Sequence, residues 1–361
     1  MREALEAPRP RWPIRVLGVA AAACAALGGV EELSAAFEPA SAVAEERVVA
    51  PELGPVLERF QPAIPRLELA PLTPKLRKRG YHECYMPDPL KWGPYARPRN
   101  LSMGRIAIPQ RGGHTADMGF DVLVHFHGAD PLRKFLVQVA RGVVLVGIDR
   151  GVGSGHYMKA FETPTVFPTL LRSIEKALRR HTGDARAHIR HLGLSAWSAG
   201  YGAVNEILER RGHRVEAVVL LDSLHAGWSH GKPSGPRQRT VKHVSGAYVA
   251  ATLDFARRAR DGEKTFILTH SDVDPIDYPS VRLTADYLLA GLGLQRQPVQ
   301  RDLGLLTQKS TVDVGGLHVW AFGGRNERTH CAHLSLISDV LQDVLEKQWD
   351  TPAMDRSMLE E

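Results

Sequence analysis

The sequence predicts an α/β fold: a mostly parallel central sheet with helices on both faces, preceded by an irregular N-terminal arm. Three observations predict it. Short, unbroken apolar runs recur along the chain: FDVLVHF at 120–126, GVVLVGI at 142–148, VEAVVLL at 215–221, TFILT at 265–269 and LHVWAF at 317–322. Runs of this length without polar alternation are strands buried on both faces, the pattern of a covered parallel sheet. Between them lie stretches with helical spacing, such as Leu170, Leu171, Ile174 and Leu178, or Leu334, Ile337, Val340, Leu341 and Val344. Strands that alternate with helices build a sheet covered on both sides.

Composition sets the bounds. The chain has 361 residues, 43% apolar and 24% charged, with a formal net charge of +6. Its Lys and Arg are scattered, and the densest cluster, KLRKR at 75–79, has no interleaved aromatic platform, so no nucleic-acid partner is expected. Arg2, Arg9, Arg11 and Arg15 precede the apolar run VLGVAAAACAALGGV at 16–30. That run is short for a membrane span and suits an export signal or N-terminal anchor over 1–35. The expected location is periplasmic or extracellular, with membrane contact only through that anchor or through a lipid on Cys24, whose surroundings make a poor lipid-attachment site. Without the signal, Cys84 and Cys331 remain. They suit either one disulfide or two buried thiols. No C-x-x-C pair is present, so structural zinc is not expected.

In chain order, 36–100 reads as a linker and surface arm, rich in Pro and then in aromatics. The α/β domain spans 101–350. It opens with an alternating strand at 104–109 and a turn at 110–118 containing Gly112-Gly113. The strand at 120–126 leads to a weak helix at 131–140. The strand at 142–148 leads to a Gly-rich loop at 149–155 and a helix at 166–181. After the strand at 215–221 comes a long polar segment, 223–262, a candidate lid carrying His225, Trp228, His230, Arg237, Arg239, Lys242 and His243, with a helix at 248–259. It is either a basic cover admitting an acidic or polar substrate or an ordinary solvated loop. The strand at 265–269, a helix at 281–292, the last strand after Gly315-Gly316, a closing helix at 334–345 and a tail at 351–361 complete the chain.

The chemistry centres on HLGLSAWSAGYGA at 191–203. An apolar strand runs into Ser198 and continues as a helix. The positions two before and two after the serine, Ala196 and Gly200, are small, as so tight a turn demands. Such an elbow lifts the hydroxyl to the strand end, beside the unpaired N–H groups of a helix start. At another strand end stands His127-Gly128-Ala129. Asp222 ends the strand at 215–221, and Asp272 and Asp274 follow the strand at 265–269. His330 and His333 follow the last strand.

Together these residues resemble the α/β-hydrolase superfamily, over 103–347, with Ala196 in place of the first Gly of its G-x-S-x-G motif. The order of serine, acid and histidine is also that of the superfamily. The resemblance implies a serine hydrolase, esterase- or lipase-like, that uses no cofactor and cleaves an ester or amide of a small-molecule or acyl substrate through an acyl-enzyme on Ser198. It implies His330 as base in preference to His333, and Asp274 or Asp222 as the acid, with a slight lean to Asp274. The N–H groups of Ala199 and of Gly128 or Ala129 are the implied oxyanion donors. Two other readings stay open. His125, His127 and Asp130 resemble an H-x-H metal loop, since strand alternation puts the two histidines on one side. A non-catalytic binding protein of the same fold is the other.

Overall fold

The computed structural model describes residues 84, 86–233, 235, 239–275 and 277–357. The export signal or anchor at 1–35, Cys24 and the arm through residue 83 lie outside the described residues. Among the described residues, no helix is long and apolar enough to cross a membrane.

The strands are β1 (Arg99–Asn100), β2 (Arg105–Ala107), β3 (Gly119–Phe126), β4 (Val144–Ile148), β5 (His188–Trp197), β6 (Ala217–Leu221), β7 (Gly227–Trp228), β8 (Val244–Ser245), β9 (Thr265–His270), β10 (Gln297–Asp302), β11 (Thr307–Val314) and β12 (Leu317–Phe322). The helices are α1 (Ala129–Val139), α2 (Ser154–Phe161), α3 (Val166–Thr182), α4 (Tyr201–Arg211), α5 (Ala250–Arg260), α6 (Val281–Leu292) and α7 (Glu327–Ala332). A run of short 3₁₀, α and π segments from His333 to Gln348 follows α7.

Ten strands form one sheet in the order β1-β2-β4-β3-β5-β6-β9-β12-β11-β10. The six from β4 to β12 are parallel, and antiparallel strands close both edges. The chain leaves β3 in one direction to β4, then crosses back past β3 to β5. Because crossovers share one hand, the two directions place their helices on opposite faces. Helix α1 and the closing segments accordingly cover one face, packing on Leu123, Leu145, Val219 and Leu221. Helices α2 to α6 cover the other, packing on Val122, Val124, Val146 and Leu220. The alternation of neighbours such as Val122 and Leu123 between the faces is the period-2 geometry of a strand. The reversal of direction falls between β3 and β5, and in sheets of this kind ligands bind at the strand carboxyl ends beside such a reversal.

The segment 223–262 is not one unit. Its first part holds the small β7–β8 ribbon, while α5 buries Phe255, Ala256 and Ala259 in the main core. Cys84 and Cys331 form a disulfide, with Cα atoms 5.0 Å apart and a sequence separation of 247. The bond ties the described end of the arm to α7. A loop this long puts the chain-entropy contribution on the order of 5 kcal/mol.

Candidate active site

Three parallel strands end on non-glycine residues with left-handed backbones: His127 after β3 (φ 70°), Ser198 after β5 (φ 49°) and Asp222 after β6 (φ 43°). Each costs on the order of 1–3 kcal/mol, and strain of this kind gathers at functional sites.

Ser198 opens a single 3₁₀ turn, Ser198–Gly200, that runs directly into α4. The turn closes over β3 so tightly that a Cβ on Gly200 would lie 2.1 Å from the Phe126 carbonyl oxygen. Only glycine fits there. The Ser223 hydroxyl donates to the Ser198 carbonyl at 2.7 Å, pinning the elbow to the β6 loop. The Ala199 N–H lies in the first turn of this helical run, where no helical carbonyl is available to it.

The structure brings Asp222, not Asp274, to His330. The His330 Nδ1 lies 2.7 Å from Asp222 Oδ2. Asp222 is 2% exposed, and its carboxylate also accepts from the Ser271 amide at 2.8 Å and the Ser271 hydroxyl at 2.7 Å. Burial alone would raise its pKa. The neighbouring His333 and His330 imidazoles and the Ser271 amide outweigh burial and hold it well below the ordinary carboxylate value. A carboxylate can only accept, so the His330 proton sits on Nδ1 and Nε2 keeps its lone pair. Asp274 is 56% exposed and pairs with Arg239 at 3.3 Å; Asp272 pairs with Lys309 at 2.8 Å. Of the two candidates, Asp222 and not the slightly favoured Asp274 lies beside His330. The two follow adjacent strands on one rim, and the turn at Asp222 sends its carboxylate toward β9 and α7.

His330 lies inside the short helix α7 and not in the loop where it was expected; Asn326 caps that helix by accepting from the Thr329 amide. His333 is fully buried, and its Nδ1 meets the Thr269 hydroxyl at 2.7 Å. Trp197, unremarked in the sequence, clamps the site. Its indole stacks on the His330 ring with centroids 4.7 Å apart, and its Nε1–H donates to the His330 carbonyl at 3.0 Å. On the same indole the His127 ring lies nearly parallel, at 5.2 Å.

The H-G loop differs from expectation. The Gly128 and Ala129 N–H groups, named as oxyanion donors, both donate to Asp149 Oδ1, at 2.8 and 3.4 Å. They begin α1, and a carboxylate from the end of β4 satisfies them as a helix start favours. Gly128 itself is required, with φ 73° and a Cβ position 2.8 Å from Trp197.

The residues of the H-x-H reading are not brought together. His125 is buried, its Nδ1 3.0 Å from Ser195 Oγ. His127 lies beyond the end of β3 with a reversed backbone, so strand alternation no longer applies, and its Nδ1 meets Tyr157 Oη at 2.9 Å. Asp130 pairs with Arg133 at 2.9 Å. Among the described residues no group of three or more His, Cys, Asp or Glu side chains could hold a metal ion.

No family model matches the chain, and no curated protein matches it. Several solved structures are similar. An acylaminoacyl peptidase from Pyrococcus horikoshii is 14% identical with a TM-score of 0.38, over 69% of this chain and 41% of that one. A poly(3-hydroxybutyrate) depolymerase from Bordetella parapertussis is 12% identical with a TM-score of 0.38, over 71% and 87%. A feruloyl esterase module from Clostridium thermocellum is 11% identical with a TM-score of 0.38, over 77% and 95%. The chain thus spans about two fifths of the length of the peptidase it matches. These neighbours are α/β-hydrolase members. Likeness of this depth assigns no residue and no substrate, and the chemistry rests on the geometry above.

Proposed function

We propose that the protein is a serine hydrolase that cleaves an ester, or an amide, through an acyl-enzyme on Ser198. The observation that carries this reading is the Asp222–His330 hydrogen bond at the rim where the Ser198 elbow ends. It fixes the tautomer that leaves Nε2 free to act as a base. In the proposed cycle Ser198 Oγ attacks the substrate carbonyl carbon as its proton passes to His330 Nε2. The tetrahedral intermediate collapses, the C–O or C–N bond breaks, and the leaving group takes the proton from His330. Water, deprotonated in turn by His330, then adds to the acyl carbon; the carbon–Oγ bond to Ser198 breaks, the acid departs, and His330 returns the proton to Ser198 Oγ. Asp222 stabilises the imidazolium that forms in each half. The Ala199 N–H at the helix start is suited to the developing oxyanion.

Hydrolysis of an activated ester such as p-nitrophenyl acetate tests the proposal. Ser198→Ala should remove the activity while leaving the thermal midpoint close to that of the parent. Activity retained by that variant would leave the non-catalytic reading as the better account. Export belongs to the same proposal, and the Cys84–Cys331 disulfide supports it, because such bonds persist in oxidising compartments. N-terminal sequencing of the mature chain should find residues 16–30 removed; an intact Met1 on the mature chain would contradict signal cleavage.

A further inference from the structure

His127 belongs to the rim but not to the proposed Ser198–His330–Asp222 triad. Phe126 pairs in register with Ala196, so His127 stands beside Trp197 and the elbow. Its hydrogen bonds decide where its proton lies. Tyr157 is fully buried, and its Oη accepts the Arg150 N–H at 3.0 Å. The buried phenol proton needs an acceptor of its own, and His127 Nδ1, 2.9 Å away, supplies the lone pair. A neutral His127 therefore carries its proton on Nε2. Burial keeps the ring neutral, lowering its pKa; the nearby Asp149 opposes this, and His330 adds to it. The Nε2–H leaves the ring on the edge away from Tyr157, in the plane stacked on Trp197. It makes no hydrogen bond within the described residues, and the ring is partly exposed. Meanwhile the backbone donors expected for the oxyanion, Gly128 and Ala129, are held by Asp149.

We propose that the Nε2–H of His127 is the second oxyanion donor, a side-chain donor acting with the Ala199 N–H in place of the backbone pair of the H-G loop. The inference rests on the acyl-transfer reading at Ser198. When Ser198 Oγ adds to the carbonyl, the C=O π pair moves onto oxygen and Nε2–H donates a hydrogen bond to it. The proton stays on Nε2 throughout. When the intermediate collapses, the C=O bond re-forms and the leaving group departs with the proton from His330. Tyr157 and Arg150 hold the tautomer, and Trp197 holds the ring plane.

The test is steady-state hydrolysis of p-nitrophenyl acetate by Ser198→Ala, His127→Phe and His127→Gln, with ¹⁵N NMR of the imidazoles in the parent protein. His127→Phe keeps an aromatic ring on Trp197 but removes the donor. It should lower kcat by about 100-fold or more, the usual cost of one oxyanion donor, with KM changed little. His127→Gln, which restores an N–H, should recover at least about tenfold of that loss. NMR should place the His127 proton on Nε2, a result that does not depend on any variant folding. A His127→Phe enzyme with the parent's kcat, or a proton on Nδ1, overturns the inference. If Ser198→Ala keeps the activity, the acyl-transfer reading itself fails; if Ser198→Ala is inactive and His127→Phe is not, only the role of His127 fails.

Discussion

At the scale of single residues, the two aspartates at neighbouring strand ends differ in what surrounds them. Asp222 is buried, accepts from Ser271 and His330, and sits on a strained backbone. Asp274 is mostly exposed and pairs with Arg239. Asn at 222 keeps the shape but turns an N–H toward His330 or loses the bond that fixes its tautomer. Asp222→Asn should therefore lower kcat by roughly ten-thousandfold, the cost seen for that change in another serine-triad enzyme. Asp274→Asn should leave kcat within about threefold, because an exposed ion pair contributes about 1 kcal/mol or less. Equal losses in both variants would contradict the assignment. The sequence made Ser198, His330 and a strand-end acid legible because each follows an apolar run. It did not make legible which carboxylate meets His330, since that depends on a backbone turn and on Ser271, which come from different strands. Trp197, although it stands inside the elbow motif, and Tyr157 and Asp149 escaped notice for the same reason: their partners are remote in sequence.

Whole elements divide along similar lines. The buried parallel strands announced themselves because burial on both faces demands continuous apolar runs. The edge strands β10 and β11 went unread, since QPVQRD and TQKSTVDV are polar and largely exposed. Most of helix α2 falls between the Gly-rich loop at 149–155 and the helix at 166–181, a stretch given no element in the sequence; it buries only Tyr157 and Phe161, an i, i+4 pair too short to declare a period. The elbow is the element whose geometry is most constrained. Gly200→Ala would drive a methyl group into the Phe126 carbonyl, and overpacking of this kind costs about 1–3 kcal/mol or more. It should lower the denaturation midpoint and the ester hydrolysis together. Gly212→Ala, at the end of α4 with nothing closer than 3.7 Å to the new methyl, should leave both nearly unchanged. A Gly200→Ala protein as stable as the Gly212→Ala control would show that the turn is looser than described.

The molecule as a whole carries buried histidines whose charge the fold does not accommodate. Burial lowers the pKa of His125 to about 3, with the charge of His127 adding to it. It lowers that of His270 to about 4, helped by Arg296, and that of His333 to about 4, helped by His330. Among the described residues each has an Nε2 without a hydrogen-bond partner. Their folded values lie below the ordinary 6.5, so the unfolded chain takes up protons that the folded one refuses. Stability from neutral histidine is full above about pH 6.5 and falls as the pH drops toward 4, by on the order of 3 kcal/mol for each group. That is a large fraction of a typical domain's stability. Thermal midpoints should fall steeply between pH 6.5 and 4; a flat profile would mean that these imidazoles can ionise in place. None of this was readable from the sequence, where a histidine inside an apolar run looks the same whether it ligates, catalyses or is simply buried.

Acyl transfer at Ser198 is tested most directly by labelling the protein with a fluorophosphonate and mapping the modified residue by peptide mass spectrometry. Ser198 lies at the elbow, whereas the nearby Ser195 is fully buried against His125. One phosphonyl group on the peptide carrying Ser198, absent from Ser198→Ala and formed far more slowly in Asp222→Asn, is the predicted result. No label at Ser198 in the folded protein, or undiminished labelling of Ser198→Ala, would contradict it.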